Sequence, residues 1–240
     1  MIKIKDLTVK YGKHIVLHQL NLDISVNTIH GLVGLNGSGK TTLLNTIYRL
    51  KKQVSGEIRY KNECLKRKEV AYLETNNYFY PRITGKEYLE ILTTGNKQFD
   101  IDKWNDLFEL PLKKLIDVYS TGMKKKLALM GIVSLNREIM ILDEPFNGVD
   151  LETVQKVKTL LLKLKQVKTI LLTSHVLESL LPICDRISYL NKGVIQFTRQ
   201  QNDFTTIENE IFSVHQQMID GKIEALIGNS NSGQTPLNKP

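Results

Sequence analysis

Cysteine is scarce in this chain and long apolar runs are missing, and each shortage argues against a class of protein. Cys64 and Cys184 are the two cysteines among 240 residues, and their spacing matches neither a metal site nor a disulfide framework. Apolar stretches such as 139–142 and 169–173 are far shorter than the roughly 20 residues of a membrane-spanning helix. We therefore expect a reducing compartment, and any role at a membrane has to come through a partner.

Aromatic residues are also few, at 7% of the chain, and they are not interleaved with the basic residues. The net charge of +8 is compatible with nucleic acid, with an anionic membrane surface or with a lysine-rich solvated exterior. Because nucleic-acid platforms combine basic and stacking side chains, we expect no nucleic-acid partner. The remaining composition, 41% hydrophobic and 24% charged, is typical of a globular fold. The first residues, MIKIKDLTVKYG, alternate like a strand, so we expect no signal peptide.

Hydrophobic periodicity predicts the order of the strands and helices. Strands are predicted at 2–9, 20–26, 29–33, 55–60, 69–73, 138–142, 168–173, 186–190 and 193–198. Helices are predicted at 41–50, 151–166 and 176–181. The interval 76–137 has mostly helical patterns and separates two strand-bearing halves. We therefore predict an α/β fold with a mostly parallel sheet core, an N-terminal antiparallel β region and an inserted helical subdomain at about 76–137.

The last forty residues carry weaker signals. Helix-like stretches between 207 and 227 are interrupted by Gly221, and the segment 229–240 is polar and contains glycine and proline. We predict one domain over 1–228, followed by a flexible tail at 229–240.

The strongest chemical signal is the run Gly34–Thr41, which reads GLNGSGKT and fits the phosphate-loop pattern. A predicted strand precedes it and a predicted helix follows it, so backbone N–H groups and the helix N-terminus converge on an anion. Lys40 supplies a positive charge for the β and γ phosphates, and the Thr41 hydroxyl is a ligand for Mg²⁺. The predicted nucleotide-binding residues here are Asn36, Gly37, Ser38, Gly39, Lys40, Thr41 and Thr42.

A second element follows the apolar strand 138–142, where Asp143, Glu144 and Pro145 stand at the point at which the sheet meets solvent. Neighbouring side chains of a strand point to opposite faces, so two adjacent acids can take separate roles. We predict that Asp143 holds Mg²⁺, directly or through water, and that Glu144 polarises the attacking water as general base.

The run Tyr119–Leu127, YSTGMKKKL, distinguishes between the classes of phosphate-loop protein. Ser120 and Gly122 at a helix N-terminus form an anion-binding cap and so a second phosphate site. With the two earlier motifs, residues 2–200 resemble the ABC ATPase family, whose signature loop has the form Leu-Ser-Gly-Gly-Gln. The departures from that form are similar to those of drug and antimicrobial-peptide exporter subunits of the ABC-2 type.

The resemblance implies further site residues. Tyr11 matches the aromatic residue that stacks on adenine, and Asp150 ends a loop that contacts the opposite subunit. His175 matches the switch histidine that bonds the γ phosphate and positions Glu144. The position that senses magnesium and links the ATPase to the membrane domain falls on Glu74 or Thr75, and the sequence leaves that choice open.

The resemblance also implies a mechanism and partners. Two copies, as a homodimer or a pair of ABC subunits, would hold ATP and Mg²⁺ between the phosphate loop of one and the signature loop of the other. ATP hydrolysis would then power a separate transmembrane permease, with the chain on the inner face of the cell membrane and export as the expected direction. The substrate and the direction of transport are not determined by this chain.

Three other classes share some of these motifs. A GTPase requires a guanine reader, and the nearest match, 191–194, lacks its acid. A regulatory protein without turnover is disfavoured by Glu144 and His175. A soluble ABC ATPase of iron–sulfur cluster assembly stays open as the alternative, because it is also a short cassette without a membrane span.

Overall fold

The computed structural model describes residues 1–213 together with 216 and 220. The strands are β1 (Ile2–Tyr11), β2 (His14–Ile24), β3 (Ile29–Val33), β4 (Ser55–Tyr60), β5 (Glu63–Cys64), β6 (Val70–Leu73), β7 (Ile139–Leu142), β8 (Thr169–Ser174), β9 (Arg186–Asn191) and β10 (Val194–Gln200). The helices are α1 (Lys40–Ile47), α2 (Gly85–Thr93), α3 (Ile101–Phe108), α4 (Thr121–Ser134) and α5 (Leu151–Leu164). Residues 204–213 are also helical.

The strands form two sheets. An antiparallel sheet has the order β2-β1-β4-β5, and a six-stranded sheet has the order β10-β9-β3-β8-β7-β6. In the second sheet every neighbouring pair is parallel except β10 with β9, which are antiparallel. The predicted α/β fold, with a mostly parallel core and an N-terminal antiparallel region, is therefore confirmed.

Burial explains why the central strands read as continuous apolar runs. Every residue of β3, β6, β7 and β8 is buried. Parallel strands covered on both faces carry no polar alternation, because neither face meets water. The parallel strands β3, β8, β7 and β6 end at one edge of the sheet, which is where ligands bind in open α/β folds.

Three helices, α2, α3 and α4, occupy the interval 76–137. Each begins at a polar residue whose side chain accepts a backbone N–H of the first turn: Thr84 from Glu87, Asp100 from Lys103 and Ser120 from Met123. These N-caps satisfy amide donors that have no partner inside the helix. The helical character predicted for this interval is present, although its status as a separate subdomain stays a prediction.

Some predicted boundaries were wrong. The helix predicted at 176–181 is a short 3-10 turn, Leu177–Ser179, in which the Ser179 hydroxyl donates to the carbonyl of Val176. Side-chain bonds of this kind compete with helical bonds, and Pro182 follows closely. Strand β2 begins at His14, earlier than the prediction, and the two-residue β5 has no clear sequence signal.

Compact units divide the chain at residue 201. Residues Met1–Gln201 form one unit, and a second begins at Asn202. The predicted domain end at 228 and the predicted flexible tail at 229–240 lie outside the described residues. No helix in the described part of the chain is both long enough and apolar enough to cross a membrane.

Candidate nucleotide site

A cavity of about 560 Å³ opens at the carboxyl edge of the parallel sheet. It is lined by residues from the ends of β3, β7 and β8, from the first turn of α1 and from the antiparallel region. The lining residues are Val16, Asn36, Gly37, Gly39, Lys40, Thr41, Thr42, Thr75, Asp143, Glu144, Asn147 and His175. The predicted phosphate loop, the two acids and the switch histidine thus line the same cavity although they are far apart in sequence.

The backbone of the phosphate loop requires glycine. Gly37 and Gly39 have φ angles of +80° and +110°, in the region that side-chain-bearing residues rarely adopt. A Cβ on Gly34 would collide with the carbonyl oxygen of Leu190. Gly193, in the β9–β10 turn, donates its N–H to the Ser38 carbonyl at 2.9 Å and accepts from His18 N at 3.1 Å. The β9–β10 hairpin therefore contacts the phosphate loop through Gly193, a contact that the sequence did not predict.

Lys40 places its ammonium group at the mouth of this loop. Its Nζ donates to the carbonyl oxygens of Gly34 at 2.7 Å and Leu35 at 3.2 Å. Burial lowers the pKa of Lys40, and the nearby carboxylates of Glu144 and Asp143 act in the opposite direction. Two neutral carbonyls leave the positive charge uncompensated by direct pairing, so it remains available for an anionic ligand.

The two acids diverge at the end of β7. Asp143 Oδ2 accepts the hydroxyl of Thr41 at 3.0 Å, which joins the predicted metal-binding pair. Glu144 Oε2 lies 3.1 Å from His175 Nδ1. Glu144 adopts a φ of +51°, a strained conformation for a residue with a side chain. The neighbouring carboxylates thus contact different partners, which are Thr41 and Thr173 for Asp143 and His175 for Glu144.

Thr173 is a residue of this site that sequence reasoning missed. Its hydroxyl donates to Asp143 Oδ1 at 2.6 Å and accepts the backbone N–H of Glu144 at 3.0 Å. It is completely buried at the end of β8. The available signal was a hydroxyl residue that ends an apolar strand two positions before His175. One side chain thereby fixes both acids.

The donors fit magnesium bound together with phosphates. Mg²⁺ usually takes one or two carboxylates along with phosphate oxygens and water, and the Thr41 hydroxyl and Asp143 carboxylate supply oxygen ligands. Among residues 1–213, 216 and 220, no three His, Cys, Asp or Glu side chains cluster into a metal site. A cation at this place would therefore depend on the nucleotide for part of its coordination. Ser38 Oγ is buried without a hydrogen-bond partner among the described atoms, as expected of a group that faces a ligand.

Five predicted nucleotide contacts are not among the lining residues of the cavity: Ser38, whose hydroxyl is described above, and Tyr11, Ser120, Gly122 and Asp150. The Tyr11 ring is half exposed, and Lys51 Nζ lies 3.8 Å from its centroid. Ser120 caps α4 and is exposed. A nucleotide contact for any of these five residues stays a prediction.

Asp150 has a structural role that the sequence reading did not include. It is the N-cap of α5, where its carboxylate accepts the N–H and the hydroxyl of Thr153, both at 2.8 Å. These two bonds hold the pKa of Asp150 down to about 2, and Lys126 adds a smaller contribution in the same direction. These N-cap bonds alone give Asp150 a structural role within its own chain.

Between the two candidates for the magnesium-sensing position, Thr75 lines the cavity and Glu74 does not. The buried side chain of Lys125, from α4, approaches the carbonyl oxygens of Glu74 at 3.5 Å and Thr75 at 3.4 Å. The structure therefore favours Thr75 as the residue at this position.

Comparison with known proteins agrees with this site. The sequence pattern of the ABC transporter family matches residues 17–147, more than half of the chain. The ABC transporter ATP-binding protein YtrB of Bacillus subtilis strain 168 is 33% identical over 200 residues, which cover 79% of this chain and 68% of YtrB. The bacitracin transport ATP-binding protein BcrA of Enterococcus faecalis is 32% identical over 207 residues, which cover 80% of this chain and 67% of BcrA.

Solved structures show the same fold. An ATP-binding subunit of an ABC transporter superposes with a TM-score of 0.79 at 24% identity, covering 85% of this chain and 91% of that subunit. A dimeric ATP-binding cassette in a post-hydrolysis state, bound to ADP and Pi, gives a TM-score of 0.75 at 23% identity, covering 84% and 99%. From the matched sequence pattern and the relatives above 30% identity, the chain belongs to the ABC transporter family, as one of its ATP-binding ATPase domains.

Proposed function

We propose that the cavity at the sheet edge binds ATP with Mg²⁺ and that Glu144 and His175 act directly on the hydrolytic step. The observation that carries this assignment is a connected set of hydrogen bonds from Thr41 through Asp143 and Thr173 to the backbone of Glu144, whose carboxylate contacts His175. These are the groups that phosphoryl transfer requires, namely a cation site, a general base and a hydrogen-bonding residue beside it.

Each residue of the cavity has a defined task in this proposal. The amides of the phosphate loop and Lys40 bind the phosphate oxygens and offset their negative charge. Thr41 and Asp143 would hold Mg²⁺, which would supply additional neutralisation of the negative charge. Glu144 accepts a proton from the attacking water. His175 holds the Glu144 carboxylate in place and donates to the γ phosphate.

The proposal includes a pair of chains. Within one chain the cavity is open to solvent, and Ser120 and Gly122 do not line it. Ser120 is exposed and its backbone opens α4, as an anion-binding helix terminus requires. A second copy that presents this terminus would close the cavity around ATP, and a structurally similar cassette is dimeric.

The proposed partner outside the pair is a transmembrane permease. Directly after Thr75 the chain exposes Tyr78 and Tyr80, with 78% and 59% of their surfaces accessible. Exposed aromatic side chains are common in protein interfaces, and these follow the residue at the edge of the cavity. The chain would then sit on the inner face of the membrane, and the bacitracin transport relative supports export of a drug, peptide or lipid-like substrate.

Replacing Glu144 by Gln tests the central assignment. The amide keeps the size of the side chain but cannot accept the proton, so ATP binding should persist while steady-state hydrolysis falls by at least about a hundredfold. ATP should trap the variant as a dimer, which light scattering would detect. Hydrolysis at the normal rate would refute the role of Glu144.

The proposed permease is tested by expressing the chain with its native neighbours, where it should copurify with a polytopic membrane protein.

A further inference from the structure

Lys125 is a buried cation in α4 for which sequence reasoning assigned no role. It belongs to the same helix as Ser120, five positions further on, or about 7 Å along the helix axis. The side chains of its neighbours Lys124 and Lys126 are partly accessible, whereas Lys125 is only 6% exposed. A lysine is rarely buried to this extent unless its ammonium group has polar partners.

The partners of Lys125 lie on the wall of the cavity. Its Nζ approaches the carbonyl oxygens of Glu74 and Thr75, at 3.5 Å and 3.4 Å. Those residues directly follow β6, and the N–H of Asp143 donates to the carbonyl of Leu73 at 2.8 Å. The loop held by Lys125 is therefore attached to the acid pair at the end of β7.

Electrostatic interactions also connect Lys125 of α4 with the acid pair at the end of β7. Burial lowers the pKa of Lys125, and the carboxylates of Asp143 and Glu144 act in the opposite direction. The positive charge of Lys125 is thus stabilised by the same two carboxylates that line the cavity. Because Lys125 belongs to α4, the position of its ammonium group depends on how α4 is oriented.

We propose that Lys125 is a positioning residue that fixes the first turn of α4 relative to Thr75 and the acid pair, and so couples the cavity of one chain to the ATP held by its partner. The inference rests on the proposed sandwich pair, in which Ser120 faces the partner's nucleotide. Through Lys125, the end of α4 that contacts that nucleotide and the loop beside the chain's own magnesium site move together. Binding in one cavity then favours closure around both.

The experiment places Lys125→Met in the Glu144→Gln background and measures ATP-dependent dimerisation by light scattering. We expect the ATP concentration for half-maximal dimer to rise at least tenfold. Affinity for ADP, which lacks the γ phosphate and reports the phosphate loop of one chain, should stay within twofold. Lys125→Arg, which keeps the charge and the donors, should restore dimerisation. Lys124→Met makes the same charge change on the same helix and should leave dimerisation unaltered.

The outcomes separate this inference from the proposed function. If Glu144→Gln alone forms no ATP-dependent dimer, the sandwich pair itself is refuted. If it dimerises and the added Lys125→Met change leaves the required ATP concentration unaltered, the coupling role is refuted and the pair stands. An equal loss of ADP affinity, or an equal effect of Lys124→Met, also refutes it. Should Lys125→Met fail to fold, as judged by thermal unfolding, Lys125→Gln replaces it with the same expectation.

Discussion

The carboxyl edge of the parallel sheet and the first turn of α4 are both proposed to hold ATP, but they are built differently. At the sheet edge, Asp143, Glu144 and Thr173 are buried and bonded to one another. At α4, Ser120 is exposed, and the bond described for its hydroxyl goes to its own helix. The side chains of the first region are thus held in place by bonds within one chain, whereas Ser120 and Gly122 do not line the cavity of their own chain. The difference is what the proposed pair requires, since there the two regions act on nucleotides of different chains.

The largest expected effect separates the two regions by binding. Lys40→Met removes the charge that faces the phosphates, so ATP affinity of a single chain should fall about a hundredfold or more, equivalent to about 3 kcal/mol. Ser120→Ala should leave that affinity within about twofold and abolish most of the turnover, because it acts only in the closed pair. Calorimetric titration and a phosphate-release assay measure the two quantities. If Lys40→Met and Ser120→Ala lost single-chain ATP affinity to a similar extent, the two regions would not bind nucleotides of different chains.

A second prediction concerns β3, which positions the phosphate loop. His30 is fully buried, with Nε2 2.8 Å from Ser188 Oγ and Nδ1 without a hydrogen-bond partner among the described residues. Burial, with a smaller contribution from Arg186, lowers the pKa of His30 from 6.5 to about 4. The folded state therefore prefers the neutral ring. The free energy of unfolding should be insensitive to this group above pH 6.5 and should fall as the pH drops from 6.5 to about 4, by at most about 3 kcal/mol.

Denaturant titrations at several pH values test this dependence on His30. His30→Gln should flatten the profile between pH 6.5 and 4, whereas the exposed His14→Gln should retain the slope of the unmodified chain. The cap of α4 is a bond from the Met123 N–H to the Ser120 hydroxyl, neither of which titrates in this range, so the effect of His30 should not depend on α4. If the free energy of unfolding of His30→Gln fell as steeply with pH as that of the unmodified chain, His30 would not be the source of the acid sensitivity.

The smallest effect of the three is expected at Thr173. Thr173→Val keeps the shape of the side chain but removes the hydroxyl that contacts both acids, at about 1 kcal/mol for each lost hydrogen bond. Turnover should fall about tenfold, because both acids lose a fixed position. Nucleotide affinity should change by less than threefold, since Lys40 and the loop amides are untouched. A drop in affinity with normal turnover would show that Thr173 supports the phosphate loop instead of the acid pair.

Much of the fold was predictable because its signals are local. The continuous apolar runs of β3, β7 and β8 identify buried parallel strands, and the glycines of 34–39 identify the phosphate loop. The 3-10 turn at Leu177–Ser179 was not predicted, because its side-chain bonds outweigh a weak helical pattern over a few residues. The roles of Thr173 and Lys125 could not be predicted, because the role of a threonine or a lysine depends on which residues surround it in the fold.

The sequence by itself determined the phosphate loop, the acid pair and the order of the strands, since these depend on residue type and spacing along the chain. Only the tertiary structure decided that Thr75 and not Glu74 reaches the cavity, that Thr173 holds both acids and that Lys125 approaches the loop at 74–75. The physical reason is that hydrogen bonds and desolvation depend on distances between segments remote in sequence, and folding alone sets those distances.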